Sequence, residues 1–519
     1  MQGVLNRLMI LLVMLQPLKV FPQENKVQAD LLIHGATAAG VIAGLAARQM
    51  GATVILTDPF FHVGGMSSGG LGQTDIGNKS AITGLSREFY RRVGAHYGKA
   101  EQWTFEPHVA DSIFRSIIRD SGINYLPGLW LESASKKGNR IREVVFKEQS
   151  SGKRFRLQAK MFIDCSYEGD LMAAAGVSYT VGRESSARYG ENLNGVQVRD
   201  KHQFPPATDP YRIPGNPESG LLWGISSSPL ELQGSGDRHV QAYNFRLCLT
   251  DEPENRIAIS RPERYDSLKY ELLLRQLEKY TPDSLNWELM HFAHMPNSKT
   301  DINNCGGFST DMIGFSDRYP EAGWAERLEI IRQHRDYTLG LLYFIGHDRR
   351  VPSHLRGEML KWGLPRDEFK DYGHFTPQLY IREARRMVGS YVMTQHHCQG
   401  FERAADGIGF AAYTMDSHNC QRVVVNGEVK NEGDVQVGGF PPYPVSYRSI
   451  TPKAQECSNL LVPVCLSASH MAYGSIRMEP VFMVLGQSAA TAAVLALRSG
   501  TSVQKVEIAA LRKQLGFQD

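Results

Sequence analysis

Residues 29–58 constrain this chain more than any other stretch. ADLLIHG reads as a short apolar strand, Ala36 to Met50 as an alanine-rich helix, and GATVILTD as a second strand ending on Asp58. Two strands joined by one helix make a right-handed β-α-β unit, the opening of a doubly wound α/β sheet. Between strand and helix stands Gly35-Ala36-Thr37-Ala38-Ala39-Gly40. Gly35 suits the tight turn, and Gly40 and Gly44 suit close packing of the helix. The helix start aims free N–H groups and a positive dipole end at an anion such as a pyrophosphate. Thr37 stands where the middle glycine of G-x-G-x-x-G is expected. Asp58 lies 23 residues past Gly35, at a strand end where a carboxylate accepts hydrogen bonds from ribose hydroxyls.

The segment directly after Asp58 narrows the ligand. It reads PFFHVGGMSSGGLGQTD, and its Gly64-Gly65-Met66-Ser67 resembles the second FAD motif of glutathione-reductase-like flavoproteins. MFIDCSYEGDLMAAAGV (161–177) is similar to the motif that closes the first half of such domains, usually ATGDGD and here CSYEGD. Three alternating segments in 129–165 resemble the β-meander these folds insert before it, and residues 459–493 resemble their C-terminal flavin segment. On GGMSSGGLGQTD, YIREARRMVG (380–389), DSHN (416–419), SYRSI (446–450) and SASHMAYGSIRMEP (467–480), the chain resembles a bacterial FAD-dependent oxidoreductase family, over roughly residues 30–500. Members are sometimes labelled putative xanthan lyase, a label without mechanism, since elimination across a uronate needs no flavin. The resemblance implies an α/β fold: an FAD-binding Rossmann-like domain with an inserted antiparallel β-meander, plus a mixed α+β substrate or cap domain. The FAD domain then spans 29–180 and 441–510, and the cap spans 181–440.

No second G-x-G-x-x-G follows a later strand and no C-x-x-C occurs, which excludes a separate NAD domain and a redox dithiol. One FAD and one substrate remain, with hydride passing between them. The helix opening at Pro480 is the candidate to stabilise reduced flavin through the amides of Val481 and Phe482, with Glu479 beside them. His470, between the last FAD strand and that helix, is the first candidate base, and Tyr473, Arg477 and Glu479 share its loop. Arg477 and Glu479 equally suit a structural ion pair. In YIREARRMVG, helical spacing puts Arg382 and Arg385 on one face, either to grip substrate oxygens or as a charged helix packed on the FAD domain. Asp416 and His418 share one side if DSHN is extended, and offer an acid–base pair. Asn303, Asn304, Ser309, Tyr447 and Arg448 are further polar candidates for the pocket. His396, His397 and Cys398 are adjacent, a poor arrangement for ligating one ion, and no metal is expected. His62 is a candidate point of covalent flavin attachment.

Composition sets the outer limits. The chain has 519 residues, 42% of them hydrophobic, and a net charge of +3, too small to argue for nucleic acid or an anionic membrane. No stretch beyond the N-terminus has 18 consecutive apolar residues, so no stable membrane span is expected. Arg7, the apolar run Leu8–Leu15 and the break at Gln16-Pro17 have the layout of a signal peptide over 1–24, which predicts export to the periplasm or beyond. The seven cysteines read as buried. The leading expectation is an FAD-dependent oxidoreductase acting on a small polar substrate, a sugar or sugar acid, with an unidentified electron acceptor. An O2-using oxidase or monooxygenase, and an exported carbohydrate-binding protein with a vestigial FAD fold, are the alternatives.

Overall fold

The computed structural model describes residues 27–517; the signal-peptide reading of 1–24 lies outside them. Strand β1 (Val27–His34) becomes a continuous buried apolar run over Leu31–Ile33, where both of its faces are covered. It lies parallel to β2 (Val54–Thr57) on one side and to β6 (Arg154–Asp164) on the other. With β3 (Asn124–Leu126), β4 (Leu129–Lys137) and β5 (Arg140–Glu148) the order is β3-β2-β1-β6-β5-β4. Strand β6 belongs to two systems. Its first part pairs antiparallel with β5, and its last part pairs parallel with the two-residue strand Leu460–Leu461.

The sheet separates two apolar layers by strict alternation. Leu31, Ile33, Val54, Leu56, Met161 and Ile163 meet the helices α1 (Ala38–Gln49), α2 (Gly84–His96) and α3 (Pro107–Asp120). Leu32, Ile55 and Phe162 point the other way, onto Ile141, Val144 and Phe146 of the antiparallel strands. The helix Glu479–Ser499 lies along α1, closely enough that a Cβ on Gly486 would stand 2.4 Å from the Ala39 carbonyl oxygen. That helix is long and apolar enough to cross a membrane, but 83% of its apolar stretch is buried inside the protein.

A second, five-stranded antiparallel sheet is built from Arg256–Ala258, Gly363–Pro365, Leu247–Thr250, Lys299–Asn304 and Met290–Met295, in that order. The helix Trp324–His347 belongs to the same central part of the chain. Two local expectations are corrected. Residues 380–389 form no helix; they run extended and bury Arg382, Glu383, Arg385 and Arg386. Each arginine meets an acid from a different part of the chain: Arg382 meets Asp311, Arg385 meets Asp170 and Arg386 meets Glu184. Of the last FAD strand, which the sequence LLVPVCL (460–466) would make seven residues long, only Leu460–Leu461 pairs, because Pro463 lacks the N–H that a ladder needs.

Candidate active site

The turn at the end of β1 is packed backbone on backbone. Gly35 sits at φ +98°, and a Cβ there would lie 2.5 Å from the Ser166 nitrogen. A Cβ on Gly40 would lie 1.8 Å from the Gly35 carbonyl oxygen, so glycine is obligatory at both positions. Thr37 replaces the expected glycine without blocking the turn: its hydroxyl accepts from the Gly40 amide as the N-cap of α1 and donates to the Cys165 carbonyl at 2.9 Å. Helix geometry leaves the Ala38 and Ala39 amides without intrahelical partners at this end. Gly64 joins the turn from beyond β2, its amide donating to the Ala36 carbonyl at 2.7 Å. Asp58 is buried and accepts from the Ala36 amide at 2.6 Å and the Phe60 amide at 2.7 Å. Burial pushes its carboxyl up to about 7, against the pull of those two amides.

Gly35, Ala36, Thr37 and Asp58 line a narrow cleft with Gly65, Ser166, Tyr167 and Glu168. Tyr167 stands where the ATGDGD pattern has glycine. Its hydroxyl accepts from the Met66 amide at 2.9 Å and donates to Glu479 at 2.6 Å, while Ser67 donates to the other Glu479 oxygen at 3.2 Å. The cleft, with Tyr167 on its wall, measures about 20 Å³. Glu479 opens the long helix, with Pro480 next and Val481 and Phe482 following in its first turn. Burial raises its carboxyl to about 7. The donor set fits a dinucleotide: a glycine cradle that any Cβ would fill, open amides at a helix N-terminus, and an acid at the end of β2. His62 is held by the Gly65 carbonyl and the Ser68 hydroxyl, each 3.1 Å from Nε2.

The segment that begins in this cleft ends in a second, larger one. Gln73 and Asp75 line a polar pocket of about 630 Å³, together with Arg246, His291, Asn303, Asn304, Asp416 and His418. His291 and Asn303 face it because they are paired residues on adjacent antiparallel strands. Asp416 and His418 lie on one side of an extended strip, with His418 Nε2 3.5 Å from Asp416 and Nδ1 2.8 Å from Asp311. Burial and the Arg382 guanidinium oppose charge on His418, but Asp311 and Asp416 outweigh them and raise its pKa. Burial likewise works against the Asp416 carboxylate, yet His418, Arg477 and Arg382 hold it well below the usual carboxylate range. Burial, aided by Arg246, lowers the pKa of His291, so this imidazole is neutral at pH 7.

The buried cations around this pocket are already matched. Arg246 meets Asp301 at 2.7 Å, Arg477 meets Asp416 at 3.3 Å and Arg382 meets Asp311 at 3.0 Å. Behind the wall, Gln241 Nε2, Asn244 Oδ1, Arg382 Nε and Arg477 Nε have no hydrogen-bond partner, the mark of a place that takes water or polar ligand atoms.

The remaining sequence candidates fall elsewhere. His470 is 1% exposed and does not line the pocket. Nδ1 meets Glu383 at 2.9 Å and Nε2 meets Ser417 at 2.9 Å, so it braces the strip that carries Asp416 and His418. Arg477 and Glu479 do not pair with each other. Arg448 meets Asp406 near the surface, Tyr447 donates to the Val503 carbonyl, and Ser309 is buried under Tyr337. His396 meets the Tyr189 carbonyl, and His397 closes a capping box with Thr394. Sequence reasoning missed Asp75, His202, Arg246, Trp287 and His291, which no shared motif links. Glu106, His108 and Glu368 come close enough to share a cation, and the Lys299 ammonium is that cation, 2.7 Å from Glu106 and 2.8 Å from Glu368.

No curated protein matches the chain. Solved structures with similar parts include the flavin-dependent brominase Bmp2 (15% identity, 34% of this chain and 48% of that one, TM-score 0.23). Others are an L-amino acid deaminase from Proteus vulgaris (11%, 31% and 53%, TM-score 0.25) and THI4 of Thermovibrio ammonificans (17%, 32% and 71%, TM-score 0.24). The match thus spans about half the length of the first two. The family model for FAD-dependent oxidoreductases matches residues 30–515. With nearly the whole chain matched and a cleft built for a dinucleotide, this protein belongs to the FAD-dependent oxidoreductase family and is an FAD-binding enzyme.

Proposed function

We propose that this enzyme oxidises a hydroxyl-bearing carbon of a neutral sugar in the pocket lined by Asp75, His291, Asn303 and Asp416. One observation carries the reading: the unbroken segment 64–75 lines the glycine cleft at Gly65 and the polar pocket at Gln73 and Asp75. The run Arg477–Glu479 repeats the link, with Arg477 on Asp416 and Glu479 on Ser67 and Tyr167.

In this reading Gly35, Ala36, Thr37, Ala38, Ala39, Gly40 and Asp58 hold the nucleotide part of FAD. Gly64, Gly65, Met66, Ser67, Glu479, Pro480, Val481 and Phe482 flank its flavin part. FAD held by these residues would supply the acceptor for a hydride from the substrate carbon. His291, neutral at pH 7, accepts the hydroxyl proton on a ring nitrogen as hydride leaves. Asp416 and Asn303 orient the remaining hydroxyls, and His418, held between Asp311 and Asp416, fixes the Asp416 carboxylate in place. Ser417, braced by His470, fixes the strip that carries them.

The matched cations favour a neutral sugar over a sugar acid. Arg246, Arg382 and Arg477 each already face a carboxylate, so a substrate carboxylate would have to compete with Asp301, Asp311 and Asp416 for them and would also meet Asp75. The test is anaerobic bleaching of the enzyme's visible flavin band by a panel of neutral sugars and the matching uronates. Neutral sugars should bleach it and uronates should react at least about tenfold more slowly, reflecting roughly 1.4 kcal/mol of repulsion. Bleaching by uronates alone, or by no sugar, contradicts the reading.

A further inference from the structure

We propose that the pocket takes the end of a glycan rather than a free monosaccharide, with the second sugar ring stacked on the indole of Trp287. This rests on the sugar reading above and adds the length of the substrate to it. Trp287 lines the pocket and is 65% exposed, an unusual placement for the largest apolar side chain. The His291 ring stacks on it with centroids 3.8 Å apart and planes 27° apart. One indole face is therefore covered by His291, and most of the remaining side chain is open.

The backbone holds the indole there at a cost. Trp287 has φ +66°, a left-handed conformation that bulky side chains rarely adopt. Its amide donates to the Met290 carbonyl at 2.7 Å, and its carbonyl accepts from the Cys305 thiol at 3.0 Å. Asn286 accepts from the Phe292 amide at 2.9 Å and fixes the same loop. A strained backbone pinned from both sides, presenting an aromatic face at a polar pocket, is the pattern of a ligand-contact position.

Size and surface chemistry agree. A hexose has twelve heavy atoms; even at the roughly 30 Å³ that a water claims in the liquid, they fill about 360 Å³. The pocket holds about 630 Å³, more than one ring fills even at that generous allowance, so the substrate can extend past the first ring toward the rim at Trp287. The C–H face of a pyranose carries slightly positive hydrogens and suits the electron-rich face of an indole. Glu288 and Lys201 also line the pocket and can meet the hydroxyls at the edge of that ring.

The experiment compares glucose, mannose and galactose with cellobiose, mannobiose and galactobiose, by flavin bleaching and by calorimetric binding to the FAD-loaded enzyme. Two variants accompany the wild type. Trp287→Asn removes the platform with a residue that tolerates left-handed backbone, and Trp287→Phe keeps a smaller aromatic face. For the wild type, the reactive disaccharide should show a KM about tenfold below that of its monosaccharide. Trp287→Asn should erase that gap, with the loss in KM exceeding the loss in kcat, and Trp287→Phe should restore part of it. Equal KM values in the wild type, or a gap that survives Trp287→Asn, overturn the platform while sugar oxidation stands. If no sugar bleaches the flavin, oxidation fails and calorimetry decides the platform. Disaccharide binding weakened about tenfold by Trp287→Asn supports it; absent or unaffected binding overturns it.

Discussion

Glu479 ties the pH behaviour of the fold to the cofactor cleft. Its carboxyl is buried against Tyr167 and Ser67 and is raised to about 7 from an unfolded value near 4.5. Between those values the folded chain holds a proton that the unfolded chain releases. This group's stabilising contribution is therefore full below about pH 4.5 and is lost as pH rises toward 7. Replacing it by Glu479→Gln keeps the shape and removes the ionisation. The cofactor-free variant should melt at the wild-type temperature near pH 5 and above it near pH 8, by up to about 3 kcal/mol of stability. Thermal denaturation at the two pH values measures this; a variant equally destabilised at both would mean that the carboxylate is held charged. Asp58, raised to about 7 by the same burial, contributes a parallel loss that this substitution leaves in place.

At the scale of elements, local signals were legible and distant partnerships were not. Strand, turn and helix from β1 to β2 can be read from the sequence because each residue's reason is local: an apolar run, a glycine at positive φ, an alanine-rich face. Asp416 and His418 share a side for the same kind of reason, a period of two along an extended strip. Residues 380–389 misled because arginines three apart look like one helix face, whereas each is matched by an acid more than seventy residues away. His470 misled because its position between strand and helix is right for a cofactor loop, but Glu383 and Ser417 occupy both ring nitrogens. The contact between α1 and the helix Glu479–Ser499 is also long-range, and it yields a prediction. Gly486→Ala puts a methyl group 2.4 Å from the Ala39 carbonyl oxygen, so the two helices must separate. Its melting temperature should fall, by about 2 kcal/mol of stability, a typical cost of overpacking. An unchanged melting curve would show that the interface yields without strain.

Across the whole molecule, the pocket gathers side chains from residues 73–75, 200–203, 246, 287–306, 413–418 and 436. No segment of that kind announces itself in sequence, because its members are joined only when the second sheet is set against the glycine segment. The central claim is that this pocket and the FAD cleft form one reaction site, with His291 taking the proton. Single-turnover flavin reduction by a reactive neutral sugar, in the wild type and in His291→Ala, tests this most directly. The oxidised flavin spectrum should be the same in both, while reduction in the variant should slow by roughly 10²–10⁴-fold. A variant reduced at the wild-type rate would contradict the account and place the chemistry outside this pocket.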